Sequence, residues 1–168
     1  MIHEPAALAA ATLPVRRVER PITRLVVHAA DTYASMDIGV EEIRRWHVEG
    51  NRWDDIGYHR VIRRDGTVEN GRNDELPGAH AYGFNADSLA VCLVGGKGDD
   101  GRPECNFTRK QLVSLRGVLY GWQKAYPDAV VCGHNELTDA KACPTFSVPI
   151  WAKTGDVVPV KGARLALV

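Results

Sequence analysis

Two patterns of apolar residues take turns along this chain: dense runs and helical spacing. Residues 22–29 form a dense run rich in β-branched side chains, which predicts a strand. After a polar turn over 31–37, Ile43, Trp46 and His47 fall at helical spacing within 39–50, and Gly50 is a stop, so an amphipathic helix is expected there. Residues 56–62 and 67–69 flank Arg63-Arg64-Asp65-Gly66, whose Asp-Gly suits a tight turn between two antiparallel strands. The continuous apolar run 89–94, closed by Gly95-Gly96, reads as a strand buried on both faces and therefore central, with 97–106 as a polar loop. Thr108 and Gln111 form a capping box. Behind them Leu112, Leu115, Val118, Leu119 and Trp122 lay a stripe on one side of a helix that ends before Pro127. Residues 129–133 are a last short strand.

Strands alternating with helices predict an α/β fold: a single domain with a central mixed β-sheet of about five strands flanked by helices. We divide the chain into an N-terminal arm (1–21), a domain (22–152) and a C-terminal tail (153–168). With 168 residues, 45% of them hydrophobic, the chain can bury a core without a metal to hold it together. The 21 basic and 21 acidic residues cancel, which argues against nucleic acid or an anionic membrane as partner and is consistent with a monomer. Four scattered cysteines suit a reducing compartment. The alanine-rich start lacks a basic n-region and no stretch reaches the ~18 apolar residues of a membrane span, so the expected origin is the cytoplasm.

The candidate chemistry sits at the strand ends. His28 closes the first strand, His134 follows the last, and Lys141 and Cys143 lie just beyond. Two imidazoles and a thiolate can hold a catalytic zinc, leaving a fourth position for water, and the implied reaction is hydrolysis. The spacing matches no compact zinc motif, and no His-Glu-x-x-His is present to supply a glutamate base.

Val27-His28 with 30–32, residues 43–47, Asp55-Ile56-Gly57-Tyr58-His59, the run 64–69, the run 91–96 and Lys141-Ala142-Cys143-Pro144, taken in order, resemble the zinc-dependent N-acetylmuramoyl-L-alanine amidases of the peptidoglycan-recognition-protein superfamily, and among them the small phage lysozymes. The likeness spans about 24–151. It implies that His28, His134 and Cys143 bind Zn2+, that Tyr58 and Lys141 are catalytic, and that His80 contacts the substrate. That substrate is the amide between N-acetylmuramic acid and L-alanine of the peptidoglycan stem peptide. A protein of this kind made in the host cytoplasm would reach the wall through a holin, as a phage or prophage endolysin. The arm and the tail after Trp151 depart from the family pattern, so the RNA polymerase inhibition known for some such lysozymes is not expected.

Lys141 lies two residues before Cys143, so an extended segment would point both side chains the same way and bring an ammonium to the site of developing charge. Tyr58 offers a phenol that is neutral at pH 7. His59, alternating to the opposite face, reads as structural, His47 and His3 read as non-catalytic, and Cys92 and Cys132 read as buried strand thiols. Two rival classes stand beside the hydrolase. One is a non-enzymatic binding module, against which Cys143 argues, and the other is a structural zinc domain using Cys132 as fourth ligand.

Overall fold

The computed structural model describes residues 15–167. Its strands are β1 (Arg24–Ala29), β2 (Thr32–Tyr33), β3 (Arg60–Ile62), β4 (Val68–Asn70), β5 (Ser88–Leu93), β6 (Gly96–Lys97), β7 (Glu104–Cys105), β8 (Val130–Gly133) and β9 (Arg164–Leu165). The helices are α1 (Val40–Arg45), which widens into a π-helical turn at Trp46–Gly50, α2 (Arg109–Ala125) and α3 (Val148–Thr154). Five strands form the central sheet in the order β4-β3-β5-β1-β8. The β3–β4 hairpin is antiparallel and the other pairings are parallel, so the sheet is mixed and the run at 88–93 is its middle strand, as predicted.

Alternation along the strands splits the core in two. Leu25, Val27, Ala29, Leu89, Val91 and Leu93 face one side, where they pack against Leu115, Leu119 and Trp122 of α2 and Trp151 of α3. On the other side, Val61 and Cys92 pack with Ile56 and with Val40 and Ile43 of α1. This second layer is thinner, and the strand residues left facing it include His28.

Several elements depart from the sequence reading. The strand expected over 56–62 is confined to β3, because Gly57 donates its N–H to His47 Nδ1 (3.0 Å) and accepts from Ala79 N–H (3.1 Å) instead of joining a ladder. The polar loop 97–106 contributes β6 and β7, which pair with β2 and β9. Unforeseen α3 starts after Ser147, carries proline in its first turn and stops at Gly155, whose φ of +85° is the left-handed cap that glycine favours. In the described part of the arm, Val18 is buried and donates its N–H to the Tyr126 hydroxyl (2.7 Å), while Arg20 bonds the carbonyls of Asp74, Ala86 and Ser88. Residues 1–14 of the expected arm lie outside the described residues.

One buried amide ties the sheet to α2. Gln111 is fully buried. Its Oε1 accepts from Thr108 N–H (3.0 Å) and Arg64 Nη1 (3.1 Å), and its Nε2 donates to the carbonyls of Ile62 (3.1 Å) and Val94 (2.8 Å), at the ends of β3 and β5. Leaving buried partners unpaired costs about 1–3 kcal/mol per group. Gln111→Glu, which keeps the shape but loses both donors, is expected to lower unfolding free energy by about 2–4 kcal/mol in urea titration; an unchanged midpoint would reject this role.

Candidate metal centre and active site

Strand register builds the site. In the parallel pair β1–β8, Val27 lies opposite Gly133, so the next residues of the two strands, His28 and His134, emerge side by side with ring centroids 4.6 Å apart. Gly133 is required there, because a Cβ would drive into Asn135 Oδ1 and the Pro144 ring. The segment after β8 returns through a hydrogen bond from Asn135 N–H to the Cys143 carbonyl (2.7 Å) and brings Cys143 beneath β1. Ala29 N–H donates to Cys143 Sγ at 3.1 Å, and Sγ lies 3.6 Å from His28 Nδ1. One ligand atom each of His28, His134 and Cys143 falls within 4.8 Å of the others, a donor set that suits zinc. Among the described residues Cys132 does not belong to this cluster, which removes the four-ligand arrangement that a structural zinc domain would need.

Tyr58, His80 and Lys141 line the same cavity, about 350 Å³ in volume, with the three potential ligands. Tyr58 sits just before β3, its ring 5.1 Å from that of His28, and Lys141 is exposed at the rim. His80 is carried on a loop that two glycines hold close. A Cβ at Gly57 would strike the Ala79 carbonyl, and one at Gly78 would strike the His80 ring. The ring of His80 bonds on both nitrogens, Nδ1 to His28 Nε2 (3.0 Å) and Nε2 to Ser88 Oγ (3.1 Å). His59 points to a separate, fully buried place: its Nδ1 accepts from Ala90 N–H (3.0 Å), so its Nε2 carries the proton and donates to the Leu76 carbonyl (3.1 Å).

Both the sequence and the fold that carry these residues have counterparts among known proteins. The sequence matches the N-acetylmuramoyl-L-alanine amidase family over residues 18–146. The chain belongs to that family. It is 48% identical to the endolysin of Enterobacteria phage K11 over 136 residues, which cover 81% of this chain and 89% of that protein. The endolysin of Escherichia phage T7 is 45% identical over 134 residues, 80% of this chain and 87% of that one. Among solved structures, the N-acetylmuramoyl-L-alanine amidase LysC from Clostridium intestinale superposes with a TM-score of 0.67 at 25% identity, covering 81% of this chain and 87% of that one.

In this amidase, burial sets the protonation of the cavity. It holds His28 well below the ordinary imidazole range, with the neighbouring His80 and His134 adding to the effect, and pushes His80 down to about 3. His134 is lowered by burial and then by Lys141. All three rings are therefore neutral at pH 7 and free to act as ligands or hydrogen-bond partners. Burial pushes the Cys143 thiol up to about 12, against the Ala29 N–H and the Lys141 charge that favour its thiolate, so without a cation beside it the sulfur stays protonated. Tyr58 is raised well above 10, chiefly by burial and then by the nearby Cys92 and Cys143, and keeps its hydroxyl hydrogen.

Sequence reasoning had assembled the cluster but missed Ser88 and the glycine pair 57 and 78. A serine opening an otherwise apolar buried strand was the available signal.

Buried His59 makes stability pH-dependent. Burial lowers it to about 4 in the folded protein, so the unfolded chain binds the proton more tightly. Stability from this group is complete above the unfolded value near 6.5 and is lost as pH falls through the window toward 4, by up to about 1.4 kcal/mol per pH unit. Urea unfolding in chelator at pH 7.0, 5.5 and 4.5 should show this loss, and a His59→Gln variant should flatten it by about one proton's slope. Identical slopes for the two proteins would refute the assignment.

Proposed function

We propose that this chain is an endolysin that hydrolyses the amide between N-acetylmuramic acid and L-alanine in peptidoglycan, using zinc held by His28, His134 and Cys143. The observation that carries the reading is the convergence of two neutral imidazoles and one cysteine within 4.8 Å in a chain of the amidase family. The endolysin relatives support the wall as substrate. No helix of the described residues is long and apolar enough to cross a membrane; release to the wall through a holin, action as a monomer and indifference to nucleic acid belong to the same reading.

The residues fit zinc by their chemistry, since borderline-soft Zn2+ favours imidazole nitrogen and thiolate sulfur. When bound, zinc supplies a Lewis acid that polarises the amide carbonyl and brings the pKa of water to near 7. The chain's own groups do the rest. Tyr58, held neutral by burial, donates its hydroxyl hydrogen to the oxygen that gains charge as the carbonyl becomes tetrahedral. Lys141 at the cavity rim offsets that charge from the solvent side. The C–N bond then breaks, the carboxyl product stays on the lactyl ether of the sugar, and the proton from the attacking water ends on the amine of L-alanine.

Incubation with purified peptidoglycan, with chelator and with zinc added back, should release stem peptides beginning in L-alanine only when zinc is present, as read by mass spectrometry. Tyr58→Phe and Lys141→Ala should each retain zinc and lose roughly 10²-fold in rate. Wall binding without cleavage by the folded, zinc-loaded protein would reject the hydrolase and leave the binding module.

Because Cys143 is a thiol in the metal-free protein, zinc uptake at pH 7.5 is expected to displace about one proton per ion. Calorimetry in two buffers of different ionisation enthalpy measures that number, and a value near zero would show that the thiolate is not a ligand.

A further inference from the structure

His28 is buried between β5 and β8, and its ring can be used in either of two neutral tautomers, only one of which leaves the nitrogen facing Cys143 bare. The structure contains a chain of hydrogen bonds whose polarity is fixed at its far end. Ser88 Oγ lies 2.6 Å from the carbonyl oxygen of Phe84, which has no hydrogen to give, so the serine hydroxyl must donate there. Its single hydrogen is then committed. Toward His80 Nε2, 3.1 Å away, Ser88 Oγ can only accept, so that nitrogen carries the proton. The His80 ring is half-buried, hydrogen bonded on both nitrogens with no carboxylate among its partners, and is therefore neutral, which leaves His80 Nδ1 bare. The contact of 3.0 Å between His80 Nδ1 and His28 Nε2 therefore needs a proton on His28 Nε2. By the same count His28 Nδ1 is bare, and it is this atom that lies 3.6 Å from Cys143 Sγ.

We propose that His80, backed by Ser88 and the Phe84 carbonyl, is a positioning residue that locks His28 in the tautomer presenting bare Nδ1 to the metal. The inference rests on the zinc reading above for what Nδ1 faces, but the order of protons follows from the hydrogen bonds alone. It also gives His80 a task other than touching substrate, since neither of its ring nitrogens is left over. The loop is built to hold it still: Asn85 Oδ1 accepts from both His80 N–H and Ala81 N–H at 2.9 Å, and the close approaches at Gly57 and Gly78 fix the depth of the ring. Outer partners of this kind fix ring orientation and raise ligand basicity, and their loss commonly weakens a metal site by 10–100-fold.

Two variants separate this role from packing. His80→Leu fills the space but removes the acceptor, whereas His80→Asn returns an acceptor oxygen near the place of Nδ1. Zinc affinity is measured by competition with a chromophoric chelator, and the thermal midpoint of each metal-free variant is recorded alongside. We expect His80→Leu to bind zinc about 10–100-fold more weakly and His80→Asn to recover most of that loss, with the two metal-free midpoints alike. Affinity in His80→Leu within about twofold of the parent, or His80→Asn as weak as His80→Leu, would overturn the proposal. Long-range 1H–15N spectra of the metal-free parent give a second, zinc-independent reading: His28 and His80 should both be protonated on Nε2, and a proton on Nδ1 of either ring would overturn it. A parent that takes up no zinc would instead remove the metal reading, with the ring spectra still deciding the proton order.

Discussion

The register between β1 and β8 is the constraint from which the site follows. Side chains alternate across a strand, so a slip of one residue would turn His28 into the layer occupied by α2 and α3 and send Val27 to the cavity. The slip is blocked from both sides of β1. Leu25, Val27 and Ala29 belong to the larger core with Trp122 and Trp151, and β1 is hydrogen bonded along both edges, to β5 and β8. The same packing that stabilises the sheet thus decides which face the imidazole takes. Because the pairing is parallel, the two strands end at the same edge, and His134 arrives beside His28 without any local motif in the sequence.

Burial then does chemical work on what the register has placed. Burial disfavours every charged form, so it keeps His28, His80 and His134 neutral, keeps Tyr58 protonated and holds Cys143 as a thiol. Neutral His28 and His134 keep a bare ring nitrogen each, while neutral His80 and Tyr58 are left as hydrogen-bond partners. At Cys143 burial opposes the thiolate, while Ala29 N–H at 3.1 Å and the charge of Lys141 favour it, the direction in which a bound cation would also act.

Legibility in the sequence tracked how local the cause was. The central strand at 88–93, the capping box at Thr108 and Gln111 and the hairpin around Gly66 were readable because each depends on neighbours in the chain. The hydrolase class and the grouping of His28, His134 and Cys143 were readable from a familiar order of short motifs. What escaped was set by distant partners. Residues 56–59 look like strand by composition, yet Gly57 bonds to His47 and Ala79, and no periodicity could report that. Helix α3 hides behind Pro149 until its burial of Val148 and Trp151 is known.

Ser88 shows most clearly why the rest needed coordinates. In sequence it is one small polar residue at the head of an apolar run, a signal that marks its place but not its partners. In the fold it is fully buried, and its one hydroxyl hydrogen is claimed by the Phe84 carbonyl. A single donor can be given only once, so that choice passes through His80 to His28 as a choice of tautomer. Hydroxyl, two imidazoles and thiol come from four places in the chain, β5, the 77–85 loop, β1 and the segment after β8, and their proton order exists only once the sheet has brought them into line. The ring nitrogen that faces Cys143 thereby takes its state from the hydrogen-bond count of atoms on the far side of the ring.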